Sequence, residues 1–326
     1  MNIRQPGTLR RTARELLERA PQLRQILLVY CGILLASCLV VTGLGQVVSR
    51  LMARSGGLGN LGTRSLLGTV QTLLPIAHTL ILLALDLGLM AAMLRISRGQ
   101  YTSVQTLRTG IARFFPLLLL TILRVVIYGA LAIASTYAAM MLFFLTPMSN
   151  SVVELLLPMV STGADPQQVV NTLLMDEAAM LSFLRAVAPM YAILAVVFLG
   201  LLIPVSYRLG VAELVILEDP RAGAFRAMSA SIKMTRRNCM AFFRLDLSFW
   251  WYFLLTAVVA VLPMLDMFLP MSEATGWALY GLSLLIQVLT YYFLRPRLEV
   301  SRCLIYNAIR PKPQPTGQAI GNIFQL

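Results

Sequence analysis

The chain has 326 residues, of which 58% are hydrophobic and only 13% charged, and its mean hydropathy is +0.76. A soluble domain carries roughly twice that share of charge, so the composition excludes a water-soluble globule and points to a polytopic membrane protein. A formal charge of +13 would suit nucleic acid if it gathered on one soluble face, but here the cations interrupt long apolar runs. That is the pattern of topology signals, and no nucleic-acid partner is expected.

Residues 1–25 form a basic segment with Arg4, Arg10, Arg11, Arg14, Arg19 and Arg24. The apolar run 26–48 that follows is longer than a signal-peptide core and has no small-residue cleavage pattern, so it is read as an uncleaved first span. Gly57, Gly59 and Gly62 spell GxGxxG. The match is rejected, because a dinucleotide fingerprint needs a strand before it, a helix after it and an acidic residue about twenty positions on. The run reads instead as a turn between spans.

The second span, 69–94, contains His78 and Asp86, and the third, 115–145, contains Arg124. At about 1.5 Å per residue, Asp86 lies roughly 12 Å before the end of its span and Arg124 roughly 13 Å past the start of the next. Antiparallel neighbours would hold both charges at similar depth. A lone charge at mid-bilayer costs at least about 2.5 kcal/mol, so an Asp86–Arg124 ion pair is expected, serving either architecture or a proton relay or transport path.

The connector 146–188 is acidic, with Glu154, Asp165, Asp176 and Glu177 against Arg185 alone. Asp165-Pro166 looks like a helix start, and the apolar positions after it suggest a surface helix or a lid, with a loop packed on its own bundle as the plainer reading. Span four, 189–207, leads into the stretch Arg208 to Tyr252. There Asp219-Pro220 predicts the start of an amphipathic helix. Phe225, Met228, Ile232 and Cys239 fall on one stripe, and the cations Arg226, Lys233 and Arg237, with Arg236 beside them, offer a surface for anionic lipid or a protein partner. Asn238 is expected to end this helix in a left-handed turn, Phe242, Phe243 and Phe249 to Tyr252 to form an aromatic belt, and Asp246 and Ser248 to bond backbone, Arg208 or Arg244. Spans five and six are 247–267 and 277–294, and residues 295–326 read as a basic tail with a disordered end.

On this plan 22 of the 27 cations lie on the side of the termini, which places both termini in the cytoplasm. The expected fold is an all-α integral membrane protein: a bundle of about six transmembrane helices within 26–294, with amphipathic surface helices in the cytoplasmic connectors. Asp86-Leu87-Gly88 and Arg208-Leu209-Gly210 each precede a basic connector and a new span, which suggests a repeated unit.

Ser231-Ile-Lys-Met-Thr-Arg-Arg-Asn238, followed by Phe243-Arg-Leu-Asp-Leu-Ser-Phe249 (Phe243, Leu245, Asp246, Leu247, Ser248 and Phe249), resembles the SxxLMKGN…FxLxLSFIGW signature of the bacterial multi-pass proteins grouped as domain of unknown function 975. Arg98-Gly99 with Leu107, Gly110 and Phe114 is similar to that family's earlier connector. Arg237 and Trp251 stand where the family usually has glycine. The resemblance implies a bacterial cytoplasmic-membrane protein and no reaction.

No GxxxxGK[ST], HExxH, GxSxG or CxxC pattern occurs. Cys31, Cys38, Cys239 and Cys303 lack the short paired spacing of a disulfide framework or zinc site. No catalytic residue, cofactor or metal is expected. The leading reading is a non-enzymatic scaffold or accessory factor engaging anionic membrane lipid or a partner. A transporter using Asp86, Arg124, His78 and Asp266 is the alternative, and an intramembrane enzyme a third.

Overall fold

In hydrocarbon only a helix satisfies every amide and carbonyl within its own segment, and runs of Leu, Val and Ala broken by few charges meet that demand. The computed structural model describes residues 5–54, 61–161, 177–219, 221–265 and 272–310, and every regular element among them is helical. Among the described residues five helices are long and apolar enough to cross a membrane: Leu23–Ala53, Ser65–Ser97, Phe114–Phe144, Met180–Glu218 and Ala274–Ile309. A sixth arises if Cys239–Ser248 and Trp250–Met264, bent by 70°, are taken as one broken span.

The chain divides into two compact units, Met1–Leu119 with Gly210–Leu326, and Leu120–Leu209. The first contains α1 (Pro6–Glu18), α2 (Leu23–Arg54), α3 (Leu61–Ser97), α4 (Arg108–Ala112) and the start of α5 (Phe114–Phe144). Helices α2 and α3 are antiparallel neighbours: Ser49 meets Gln71, Cys38 meets His78 and Tyr30 meets Asp86, one number falling as the other rises. Gly99, at φ 68°, closes α3, and the amides of Gly99 and Gln100 bond back to the carbonyls of Ile96 and Arg95. Only glycine takes that left-handed position at no steric cost.

The connector then folds back on α3. A Cβ at Gly88 would collide with the Leu107 backbone, and one at Gly110 with the Ala84 carbonyl. The two glycines therefore let backbone touch backbone at both ends of this contact.

Within the second unit, α5 from Leu120 is followed by α6 (Asn150–Ser161) and α7 (Glu177–Leu209), with α6 packed on α7. The helix or lid expected from Asp165-Pro166 lies outside the described residues.

The first unit resumes with α8 (Ala212–Glu218), α9 (Ala224–Thr235), α10 (Cys239–Ser248), α11 (Trp250–Val261), α12 (Glu273–Phe293) and α13 (Arg295–Ile309). Helix α9 starts at Ala224 after Gly223, not at Asp219. Asp219 closes α8 instead, and its Oδ1 accepts the Arg221 amide at 2.9 Å, a local bond that competes with helix initiation. Helix α13, in the segment read from sequence as a tail, packs against α1, α3, α10 and α12. The disordered end expected beyond it lies outside the described residues.

Candidate functional site

Helix α13 begins where Pro296, lacking an amide hydrogen, breaks the register of α12 at Leu294. Leu298, Val300, Ser301, Cys303 and Ile305 are fully buried, yet the same helix carries Arg295, Glu299, Arg302 and Tyr306. These four recur at steps of four, three and four, a single polar stripe on an otherwise apolar helix.

Three of them, Arg295, Arg302 and Tyr306, meet partners from other elements, and Glu299 meets Arg302 on the same helix. Arg295 Nη1 lies 2.9 Å from Asp86 Oδ1 on α3 and donates to the Tyr30 hydroxyl on α2 at 2.7 Å, while that hydroxyl donates to Asp86 Oδ1 at 2.5 Å. The guanidinium also lies 4.7 Å from the Tyr291 ring centre. Arg302 grips Asp246 of α10 with two nitrogens, at 2.9 and 3.2 Å, and reaches Glu299 at 3.4 Å. Tyr306 donates to Glu218 of α8 at 2.5 Å, and Glu218 is further paired with Arg98 at 2.9 Å and with Arg310. Asn307 completes the row, donating to Ser97 and accepting from Arg98. A buried charge is tolerable only when paired and hydrogen-bonded, and this helix pairs every one of its buried charges.

These contacts give Asp86 a cation that the expected pairing did not include. Depth along the spans nominates Arg124, but the cation that Asp86 meets is Arg295, brought in by a helix that the sequence reading placed outside the bundle. Arg124 donates through Nη2 to the Leu209 carbonyl at 2.7 Å within its own unit. If Asp86 and Arg295 are coupled, the stability losses of Asp86→Ala and Arg295→Ala will be non-additive by about 1–3 kcal/mol in a double-mutant cycle followed by thermal melting in micelles. Additive losses would exclude the pair.

The second feature is the bend at Phe249, whose backbone (φ −109°, ψ 27°) separates α10 from α11. A helix broken here leaves carbonyls of α10 without helical partners. Arg10 of α1 answers one of them, its Nη1 donating to the Ser248 carbonyl at 3.3 Å while its guanidinium stands 5.2 Å from the Phe249 ring centre. On α10, Phe242, Leu245, Asp246 and Phe249 are buried, and Phe243 and Leu247 point outward on the opposite face. The Ser248 hydroxyl bonds the Leu245 carbonyl, and Asp246 is bound to Arg302. Trp250 and Trp251 are exposed and stacked at 3.7 Å, so part of the aromatic belt faces out while Phe242 and Phe249 face in.

Asn238 does not take the left-handed turn, its φ being −122°. Its side-chain amide donates to the Met234 carbonyl at 3.3 Å, which serves the end of α9 without a positive φ. On α9 the buried positions are Ala224, Ala227, Ser231 and Thr235, small side chains that let the helix lie close on α8. Phe225 and Ile232, on the stripe expected to be apolar, are exposed, as are Arg226, Lys233, Arg236 and Arg237. Arg226 approaches Asp219 at 3.8 Å.

His78 contacts Cys38 through Nε2 at 3.8 Å, and Asp266 lies outside the described residues. Among the described residues no group of three or more His, Cys, Asp or Glu side chains could hold a metal ion.

Tyr30, Arg295, Glu299, Arg302, Tyr306 and Glu218 escaped sequence reasoning. The spacing of Arg295, Glu299, Arg302 and Tyr306 was a usable signal for a one-sided polar helix, masked by counting its arginines as topology marks.

A sequence model of the family described as Protein of unknown function (DUF975) matches residues 7–312, nearly the whole chain. No curated protein and no solved structure matches.

Proposed function

The chain belongs to this family, and on that footing we propose that it is a non-enzymatic scaffold or accessory protein of the bacterial cytoplasmic membrane. Its termini and basic connectors face the cytoplasm, and it holds anionic lipid through helices lying in the membrane interface. The observation that supports this is the two-faced burial of α9. Its small residues are buried toward α8, and Phe225, 67% exposed, and Ile232 are left outward beside Arg226 and Lys233. A helix docked on its own protein by alanines has no internal use for an outward Phe and Ile. At an interface the same side chains enter the acyl boundary while the flanking cations reach headgroups.

A solute carrier built on Asp86 would need that carboxylate for cargo or a proton, and it is held by Arg295 and Tyr30.

Depth measurements test the interfacial assignment. With Cys38 and Cys239 replaced by alanine, a nitroxide placed at position 225 of the full chain in anionic bilayers should be relaxed by lipid-dissolved oxygen. One at position 226 should respond to a water-soluble relaxing agent. Equal aqueous exposure at both positions would remove the interfacial role of α9.

A further inference from the structure

A cavity of about 330 Å³ opens between α1, the α10–α11 bend and the start of α13. Arg10, Arg11, Arg14 and Arg297 line it together with Trp251 and Tyr252, and no carboxylate is among its lining residues. Arg11 and Arg14 each use Nε on the glutamate one turn on, Glu15 and Glu18, and Arg10 uses one terminal nitrogen on the Ser248 carbonyl. Arg297 makes no side-chain hydrogen bond or ion pair among the described residues. Four guanidinium groups around one small cavity repel one another, and the arrangement becomes favourable when an anion with several acceptor oxygens sits among them. Planar guanidinium forks match phosphate oxygens two at a time.

The surroundings select what carries the phosphate. Trp251 heads a row on α11, continuing through Leu254, Val258 and Val261, in which every side chain is exposed. The row is about 15 Å long at the rise of an α-helix, enough for much of an acyl chain to lie along it. A free inorganic anion would gain nothing from that row.

We infer that this cavity is the headgroup site of one anionic phospholipid, whose phosphate is bound by Arg11, Arg14 and Arg297 and whose acyl chain follows Trp251, Leu254, Val258 and Val261. The inference deepens the anionic-lipid reading above and rests on it, but the site is structurally separate from α9. It differs from an interfacial helix in stoichiometry: one retained lipid in place of a general affinity for charged surface. Because Arg10 also caps the bend, a bound headgroup would be coupled to the angle between α10 and α11.

The test is native mass spectrometry of the full chain in detergent, with dioleoylphosphatidylglycerol as probe and dioleoylphosphatidylcholine as its neutral comparison. One phosphatidylglycerol should be retained in preference to phosphatidylcholine. Arg11→Gln with Arg297→Gln, both exposed and unneeded for packing, should weaken retention at least about tenfold, the loss expected for two charge-assisted contacts. Arg226→Gln with Lys233→Gln should leave the retained lipid in place even if α9 proves not to be interfacial, which keeps the two readings separable. Undiminished retention by the Arg11/Arg297 variant, equal retention of the neutral lipid, or displacement by excess inorganic phosphate would each overturn the site.

Discussion

Gly110→Ala is expected to lower stability by about 3 kcal/mol, the upper end of the usual cost of overpacking, because the added methyl falls on the backbone of α3. It would fall on the Ala84 carbonyl oxygen, 2.8 Å from the carbonyl carbon and 2.9 Å from the Gly88 nitrogen. Neither neighbour is a side chain that can swing away, and Ala84 and Gly88 lie within α3, whose own hydrogen bonds resist displacement. Thermal unfolding in micelles and the yield of monodisperse protein are the measurements. Gly129→Ala is the matched control, since nothing lies within 4 Å of a methyl at that helical position and alanine is the better helix former. A Gly110→Ala protein that melts with the wild type would mean that the connector does not lie against α3.

Comparable damage is expected from Asp246→Ala. The Asp246 side chain is 8% exposed and binds Arg302 through both oxygens, so its removal leaves a half-buried guanidinium with Glu299 alone at 3.4 Å. Stranding one member of a buried pair costs about 3–5 kcal/mol, and the nearby Glu299 carboxylate argues for the lower end. Asp246→Leu with Arg302→Met removes both charges and keeps apolar bulk, and this double variant should recover most of the loss. The readout is the unfolding midpoint of the single and double variants in the same micelles. If the double variant is as unstable as Asp246→Ala, the damage comes from packing on α10 and not from the orphaned charge.

The two predictions mark where the sequence was legible and where it was not. Long apolar runs declare helices and need no partner to be recognised, so α2, α3, α5 and α12 follow from composition and length. Gly110 and Asp246 both stand in segments singled out by their motifs, yet what each touches was hidden. Ala84 with Gly110, Asp246 with Arg302 and Asp86 with Arg295 are encounters between residues far apart in the chain, and no periodicity within one segment encodes them. Asn238 failed for a different reason. A short polar side chain can cap a helix from several backbone conformations, and bonding the Met234 carbonyl needs no left-handed turn. Topology logic itself misled at Arg295 and Arg302. Counting them as cytoplasmic markers left no reason to look for acids facing them, although Glu299 lay within one turn of each.

Helix α13 also sets an order of events during synthesis. Asp86 is made 209 residues before Arg295, an interval of about 10 to 40 s at ordinary elongation rates. Throughout that interval α3 carries a carboxylate whose cation has not yet left the ribosome, and Asp246 waits for Arg302 in the same way. Helix α13, the last of the described helices, closes the unit by neutralising charges laid down long before it. A nascent chain stalled ahead of Arg295 would therefore be a substrate for quality-control proteases, while one released after Ile309 would escape them.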